Sequence, residues 1–429
     1  MDLIRIAFRV LQIGFLAIVF VAFAVSTLLV HLVRRDRSAL VTSLGGLLAR
    51  LAESLGPAAV KMSQVASCRQ DLIPVALTRP LSRLQDRVKP PSPRGLRKAL
   101  DAAYGAALNE VFEYIEPEPF ACGSVAAVFR GRVRGGGDVA IKLVRPGTKR
   151  RIEIDLKIMR WVVSNVVARL HRFDGVPIAK IFDRFAELVV RQCDMALEAA
   201  NATRLRRLLD PEVVIPEPLA EQSRPGVLVT TFISGTRKLD PADAPQSTYE
   251  HACVVLLKNV YAMIFVHGFV HGDLHPGNVA INSVGQVVLY DFGLVAELTE
   301  NDRVLFRDFF IAVAMGDRIT ASQKIVESAE KQPPNLNRDE FDRAAAVLVK
   351  KYCGLKAGEF LVARFVEELF ALQRRFGLSG APGFANAVWA LAMFEGLVRH
   401  GYPTLDFQKA ARPFLMASVL ERARMLVRV

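Results

Sequence analysis

His271-Gly272-Asp273-Leu274-His275-Pro276-Gly277-Asn278, followed by Asp291-Phe292-Gly293, is the stretch that decides the fold. Asn278 stands five residues after Asp273, and Asp291 stands thirteen after Asn278. Moving a phosphoryl group off a nucleotide needs few protein groups. One carboxylate orients or deprotonates the acceptor; a second carboxylate and an amide oxygen hold divalent metal against the phosphates. Asp273, Asn278 and Asp291 supply these groups in that order, and Pro276-Gly277 makes a tight turn that converges them. Asp-Phe-Gly alone is a weak signal, whereas the joint spacing is a strong one. His267, His271 and His275 recur every fourth residue, which on a continuous helix would suggest a metal-binding face. Gly268, Gly272, Pro276 and Gly277 argue against such a helix, so these imidazoles are read as supports of the loop.

Upstream, the period changes to that of strands. Val125–Val133 and Val139–Val144 flank Arg134-Gly135-Gly136-Gly137-Asp138 and read as a hairpin. Its second strand carries Val139-Ala140-Ile141-Lys142, and Lys142 matches the strand lysine that contacts nucleotide phosphates in protein kinases. Such a lysine needs a carboxylate to hold it, and Glu198 is the candidate, on a long helix over Ile181–Leu209. Where protein kinases place a glycine-rich loop, Ala121-Cys122-Gly123-Ser124-Val125-Ala126-Ala127 has one glycine. Val213–Ile215 and Val227–Ile233 read as strands, the second leading into a connector, Thr231-Phe232-Ile233, with Thr231 and Ile233 facing nucleotide. Ser38–Leu55, Arg94–Phe112 and Arg150–Leu170 read as helices. The expected class is α+β. It is a bilobal protein-kinase-like fold with a small N-lobe sheet, a mainly helical C-lobe, extra N-terminal helices and one N-terminal transmembrane helix. The expected divisions are an anchor over 1–37, a helical extension over 38–115, an N-lobe with inserted helices over 116–233 and a C-lobe over 234–429.

The composition allows this. Of 429 residues, 52 % are hydrophobic and 23 % charged, enough for a large core and against global disorder. A net charge of +13 suits phosphates or acidic lipid. Nucleic acid is not expected, because no basic run is interleaved with aromatics. Five scattered cysteines without a Cys-x-x-Cys pair encode neither a zinc knuckle nor a disulfide framework, and they suit a reducing compartment. Leu11–Val33 holds no Asp, Glu, Lys or Arg and is flanked by Arg5 and Arg9 before it and Arg34, Arg35 and Arg37 after it. It is long enough to cross ~30 Å of hydrocarbon. Ala22-Phe23-Ala24 resembles a signal-peptide cleavage site, but the apolar run continues past it, which favours an anchor. The arginines on its C-terminal side favour a cytoplasmic body. Ala410–Val429 carries five charges and is not expected to span a membrane.

Assembled, these features resemble the UbiB family of atypical kinases, from roughly Leu51 to Pro413. Further segments carry the resemblance: Arg69-Gln70-Asp71-Leu72-Ile73-Pro74, Leu84-Gln85-Asp86-Arg87-Val88, Arg145-Pro146-Gly147 and Glu395-Gly396. In that family an alanine-rich loop replaces the glycine-rich one. The resemblance implies that Ala121, Cys122, Gly123, Ser124, Val125 and Ala126 lie at the nucleotide, with Lys142 on its phosphates and paired to Glu198. It implies Asp273 at the catalytic-base position and Asn278 and Asp291 on magnesium. A family signature of Lys-x-Gly-Gln, which limits access to the site, appears as Lys61-Met62-Ser63-Gln64, and a family glutamate appears as Gln192. Either the gating segment is looser here or Lys61 finds Asp194. The implied activity is that of a magnesium-dependent, ATP-binding kinase or ATPase at a membrane. It would support ubiquinone biosynthesis by acting on or mobilising an isoprenoid lipid precursor, with other quinone-biosynthesis enzymes as implied partners. The alternative is a non-catalytic, nucleotide-gated module that presents lipid or recruits such enzymes. A small-molecule kinase shares the Asp, Asn and Asp pattern but leaves the anchor and Lys61–Gln64 unexplained. The implied site is a bacterial inner membrane, or alternatively a mitochondrial one, crossed once.

Overall fold

Alternation along Asp138–Val144 shows why a sheet forms there. Val139, Ile141 and Leu143 are 1 %, 0 % and 3 % exposed, while Lys142 leaves from the other face. The computed structural model describes residues 2–34, 37–56, 58–60, 63, 92–165, 178–275, 277–353, 359–380, 382–399 and 401–427. Lys61, Gln64, Pro276 and the segments Arg69–Pro74 and Leu84–Val88 lie outside them.

The first half of the chain runs α1 (Asp2–Arg34), α2 (Arg37–Leu55), α3 (Pro93–Tyr104), α4 (Leu108–Val111), β1 (Phe112–Ile115), β2 (Ala121–Cys122), β3 (Ala126–Val133) and β4 (Asp138–Val144). Then come α5 (Thr148–Asn165), α6 (Ile178–Arg191), α7 (Met195–Leu208), β5 (Val213–Val214), β6 (Val227–Thr231) and β7 (Arg237–Lys238). The second half runs α8 (Gln246–Tyr261), β8 (Phe269–His271), β9 (Val279–Ile281), β10 (Val287–Leu289), β11 (Val295–Glu297), α9 (Glu300–Met315) and α10 (Arg318–Glu327). It ends with β12 (Ala329–Lys331), α11 (Arg338–Tyr352), α12 (Val362–Arg375), β13 (Ser379–Gly380), α13 (Pro382–Val398) and α14 (Phe407–Val427). The chain divides into a first unit, Met1–Ala199 with Pro218–Phe232, and a second, Ala200–Glu217 with Ile233–Val429.

The first unit holds an antiparallel sheet in the order β1-β3-β4-β6, with β2 also on β3. Lys142 pairs with Val128 on one side and Leu228 on the other. Helix α3 begins at Ser92, whose hydroxyl accepts the Gly95 N–H at 3.2 Å. It buries Leu96, Leu100 and Tyr104 in one cluster with Phe129, Ile141 and Val229 of the sheet. Two readings of the sequence are corrected. The helix expected over Arg94–Phe112 stops earlier, and Phe112–Ile115 is a strand on β3. The helix expected over Ile181–Leu209 is two helices, α6 and α7. The chain turns between them, and the Asp194 carboxylate accepts the N–H groups of Ala196 and Leu197 at 3.0 and 3.1 Å to start α7.

In the second unit, small strands form the sheet β5-β10-β9-β7 and the pair β8-β11 beside a large helical core. Tyr249, Leu256, Tyr261 and Phe265 are fully buried in it. The apolar stretch Gln246–His267 is long enough to cross a membrane, but it is 67 % buried inside this core. Arg9–Val30 also meets that length and composition, with a mean hydropathy of 2.7; Arg9 at its start is buried, whereas its described apolar side chains are exposed or half-buried.

Candidate functional site

Lys142 projects from β4, and its Nζ lies 2.7 Å from Glu198 Oε1. The two side chains are 20 % and 3 % exposed. Glu198 occupies the first turn of α7, the helix that Asp194 caps. Thus Asp194, expected to gate the site, starts the helix that delivers the lysine's partner; its expected partner Lys61 lies outside the described residues. The strand thus aims the lysine, and a largely water-excluded carboxylate fixes where the ammonium sits.

Ala121 and Cys122 pair with Val128 and Ala127, and the Gly123 N–H reaches the Ala126 carbonyl at 2.8 Å, closing a tight turn. Ser124 and Ala127 are fully buried, and Val125 and Ala126 nearly so. Val125 packs in a cluster with Ala58, Ile152, Leu156, Phe182 and Val189. Arg145 ties the turn down: its N–H bonds the Val125 carbonyl at 2.9 Å, and its guanidinium bonds the Gly123 carbonyl at 3.3 Å. That gives the Arg145-Pro146-Gly147 motif a structural job. Thr231 ends β6 opposite Val139, and the next N–H, of Phe232, bonds the Asp138 carbonyl at 3.0 Å. Ile233 begins the second segment of the second unit.

Within the second unit, the polar loop leaves β8 at His271 and enters β9 at Val279. His271 is fully buried. Its Nδ1 accepts the Asp273 N–H at 3.1 Å, which leaves the proton on Nε2, 3.2 Å from the Tyr290 carbonyl. Burial holds this imidazole below its ordinary pKa, against the opposing pull of Asp273, so it stays neutral. Asn278 donates its amide N–H to the Asp273 carbonyl at 3.0 Å, which turns its Oδ1 the other way. The backbone also bonds Tyr290 N–H to Asn278 O at 2.9 Å, so the two ends of the β9–β10 hairpin stay together. His275 Nδ1 accepts the Gly277 N–H at 3.0 Å, and its Nε2 lies 3.7 Å from the Asp273 carboxylate. Asp291 has φ of 55°, the one positive value among the described non-glycine residues. Its Oδ1 accepts the Gly293 N–H at 3.2 Å.

Two holders of this loop were missed in the sequence. Asn201 Nδ2 donates to the Phe292 carbonyl at 2.9 Å, and Phe292 meets the His271 ring edge-to-face at 5.5 Å. The available signal was that Asn201 lies three residues past Glu198 on one helix. Glu395 is likewise structural. It is buried, accepts the Val362 N–H at 2.9 Å and pairs with Arg399.

Among the described residues, no three His, Cys, Asp or Glu side chains gather to hold a metal by themselves. Magnesium does not need that. It takes hard oxygens, keeps waters and uses nucleotide phosphates beside one or two protein groups. The Asp291 carboxylate and the Asn278 amide oxygen fit that donor set.

A family profile described as the ABC1 atypical kinase-like domain matches residues 83–325, more than half of the chain. The chain belongs to this family. The candidate site residues from Ala121 to Asp291 fall within the ABC1 match, whereas Glu395 lies beyond it. Its relatives include a protein named "Probable protein kinase UbiB" from Cellvibrio japonicus, 32 % identical over 387 residues, spanning 87 % of this chain and 69 % of the relative. Proteins of the same name from Pseudomonas entomophila and Pseudomonas putida are 30 % and 29 % identical, over 90 % and 86 % of this chain and 73 % and 70 % of theirs. A solved Mycobacterium tuberculosis structure, Rv3197 with erythromycin, gives a TM-score of 0.47 at 19 % identity over 86 % of this chain and 98 % of that one, too remote to bear on the site. The α+β architecture found above is thus that of an ABC1 kinase-like protein.

Proposed function

We propose that this chain is a magnesium-dependent, ATP-binding atypical kinase or ATPase that works at a membrane. It would support ubiquinone biosynthesis by acting on, or mobilising, an isoprenoid lipid precursor. The observation that carries this reading is the Lys142–Glu198 pair at 2.7 Å in an ABC1-family chain that also keeps Asp273, Asn278 and Asp291. In this reading Lys142 binds nucleotide phosphates, and Ala121–Ala126, Thr231 and Ile233 line the nucleotide. Asn278 and Asp291 hold magnesium, which when bound neutralises charge on the phosphates. Asp273 orients or deprotonates the acceptor, be it water or lipid. Lys61, Gln64 and Asp194 remain proposed gating residues. Exposed α1 attaches the chain to membrane, with the kinase-like part in the cytoplasm and quinone-biosynthesis enzymes as partners.

The test is phosphate release from ATP by the full chain in anionic liposomes with magnesium, beside Asp291→Asn. Release that disappears in the variant supports an enzyme. Nucleotide binding without release would instead favour a nucleotide-gated scaffold. One observation favours that second reading: the loop at the glycine-rich position is buried and clamped by Arg145.

A further inference from the structure

Arg9 is the last cation before the apolar run, yet it is not solvated. Its Nε meets Asp155 Oδ1 at 2.6 Å, and its Nη2 meets Oδ2 at 2.7 Å. Nη1 donates to Gln12 Oε1 at 2.7 Å, and Nη2 also donates to the Leu55 carbonyl. Arg9 is 7 % exposed and Asp155, on α5, 3 %. Leu55 is the last residue of α2. The beginning of α1 and the end of α2 therefore meet at the same point of the first unit, while α1 ends at Arg34 and α2 begins at Arg37. The two helices pack on each other as an antiparallel hairpin. Ile13, Leu16, Phe20, Ala24 and Thr27 recur at helical spacing and are half-buried, marking the seam. Leu11, Phe15 and Ile18 are 72 %, 67 % and 71 % exposed on the outside.

This geometry decides among three ways of meeting a bilayer. A single crossing by α1 would leave Arg9 beyond ~30 Å of hydrocarbon from the first unit and strand the Asp155 carboxylate in a buried place. A hairpin crossing tip first would need α2 to cross as well. Its uncharged stretch, Ser38–Ala49, is twelve residues. That is about 18 Å of helix against ~30 Å of hydrocarbon, with Arg50 and Glu53 following. The third way is for the hairpin to lie in one leaflet. The apolar outside of α1 then enters the acyl chains.

We propose that α1 and α2 form a monotopic membrane hairpin, locked to the first unit by Arg9 and Asp155. The N-terminus, the hairpin tip and the first unit then share one face of the bilayer. The proposal rests on the reading that α1 enters membrane, and replaces a single crossing with none. The test uses the full chain in bacterial inner-membrane vesicles of both orientations and a membrane-impermeant maleimide. Asp2→Cys and Ser38→Cys should gain label only from the side on which the native cysteines of the unsubstituted chain are labelled. Label on Asp2→Cys from the opposite side means a single crossing; label on Ser38→Cys from that side means a transbilayer hairpin. Either overturns the proposal. Failure of the chain to stay with the vesicles through a high-salt wash would sink the membrane reading itself. The lock has its own readout. Arg9→Asp should speed tryptic cleavage after Arg50 roughly tenfold by leaving like charges together, and adding Asp155→Arg should restore protection. Equal cleavage in all three chains would overturn the lock.

Discussion

Two loops of this chain are held by opposite means. Ser124–Ala127 in the first unit is buried at 0–7 % exposure among apolar side chains and fixed by backbone bonds. The polar loop of the second unit is fixed by side chains that bond its backbone, His271 accepting the Asp273 N–H and Asn278 donating to the Asp273 carbonyl, and its Asp273 side chain stays 32 % exposed. The first loop is set by volume and is sensitive to packing. The second is set by donors and acceptors and is sensitive to protonation. Chemistry needs the second kind, because a carboxylate that must meet an acceptor cannot be packed away from it.

The contrast can be broken most sharply at Lys142, where both means meet. Lys142→Ala would take the ammonium away from the buried Glu198 carboxylate and should cost about 3–5 kcal/mol of stability in chemical denaturation. Lys142→Met with Glu198→Leu should regain most of that while nucleotide binding stays lost. Recovery of both would remove the pair from the site. Val125→Ala should cost about 2 kcal/mol, by removing methyl groups from a packed cluster, and should leave the pH dependence of unfolding unchanged. A cost near zero would mean that burial does not hold the first loop. Asp194→Ala should cost about 1 kcal/mol through the lost α7 cap; a larger drop in nucleotide affinity than in stability would show that the cap also places Glu198. The smallest effect is expected at His271. Its folded pKa is lowered by burial, so the unfolded chain binds the extra proton. Stability is therefore full above the ordinary histidine value of about 6.5 and falls as pH drops below it. Denaturation midpoints at pH 8 and pH 5.5 should diverge less in His271→Asn than in the native chain; equal divergence would assign the pH effect elsewhere.

What sequence could show follows from the range of each interaction. The loop from His271 to Asn278 was legible because its chemistry needs several residue types at fixed short spacing. The hairpin around Lys142 was legible from alternation and a glycine turn. The strand Phe112–Ile115, of which only Phe112 fell in an expected helix, was not legible because it is four residues long and takes its conformation from β3, which pairs Ile115 with Gly131. The break at Gln192-Cys193-Asp194 carries no proline or glycine, and the Asp194 cap is the only local mark of it. Lys142 and Glu198 were paired from what a phosphate-binding lysine requires and from the family resemblance, because no local rule joins residues 56 apart. Arg9 and Asp155, 146 apart, had no such guide.

The two units are interleaved along the chain, and that has a consequence for the order in which a ribosome lets them form. The first unit's sheet closes with β6, so it cannot be completed until residue 231 has emerged, after part of the second unit, 200–217, is already outside. That piece contains β5, whose parallel partner is β10, at 287–289. It must wait for about seventy further residues, several seconds of synthesis at ~5–20 residues per second, with its apolar Val213 and Ile215 uncovered. The apolar hairpin at the N-terminus emerges before all of this, so a nascent chain that reaches a lipid surface early would be held there by its first helices while both units wait for their last strands.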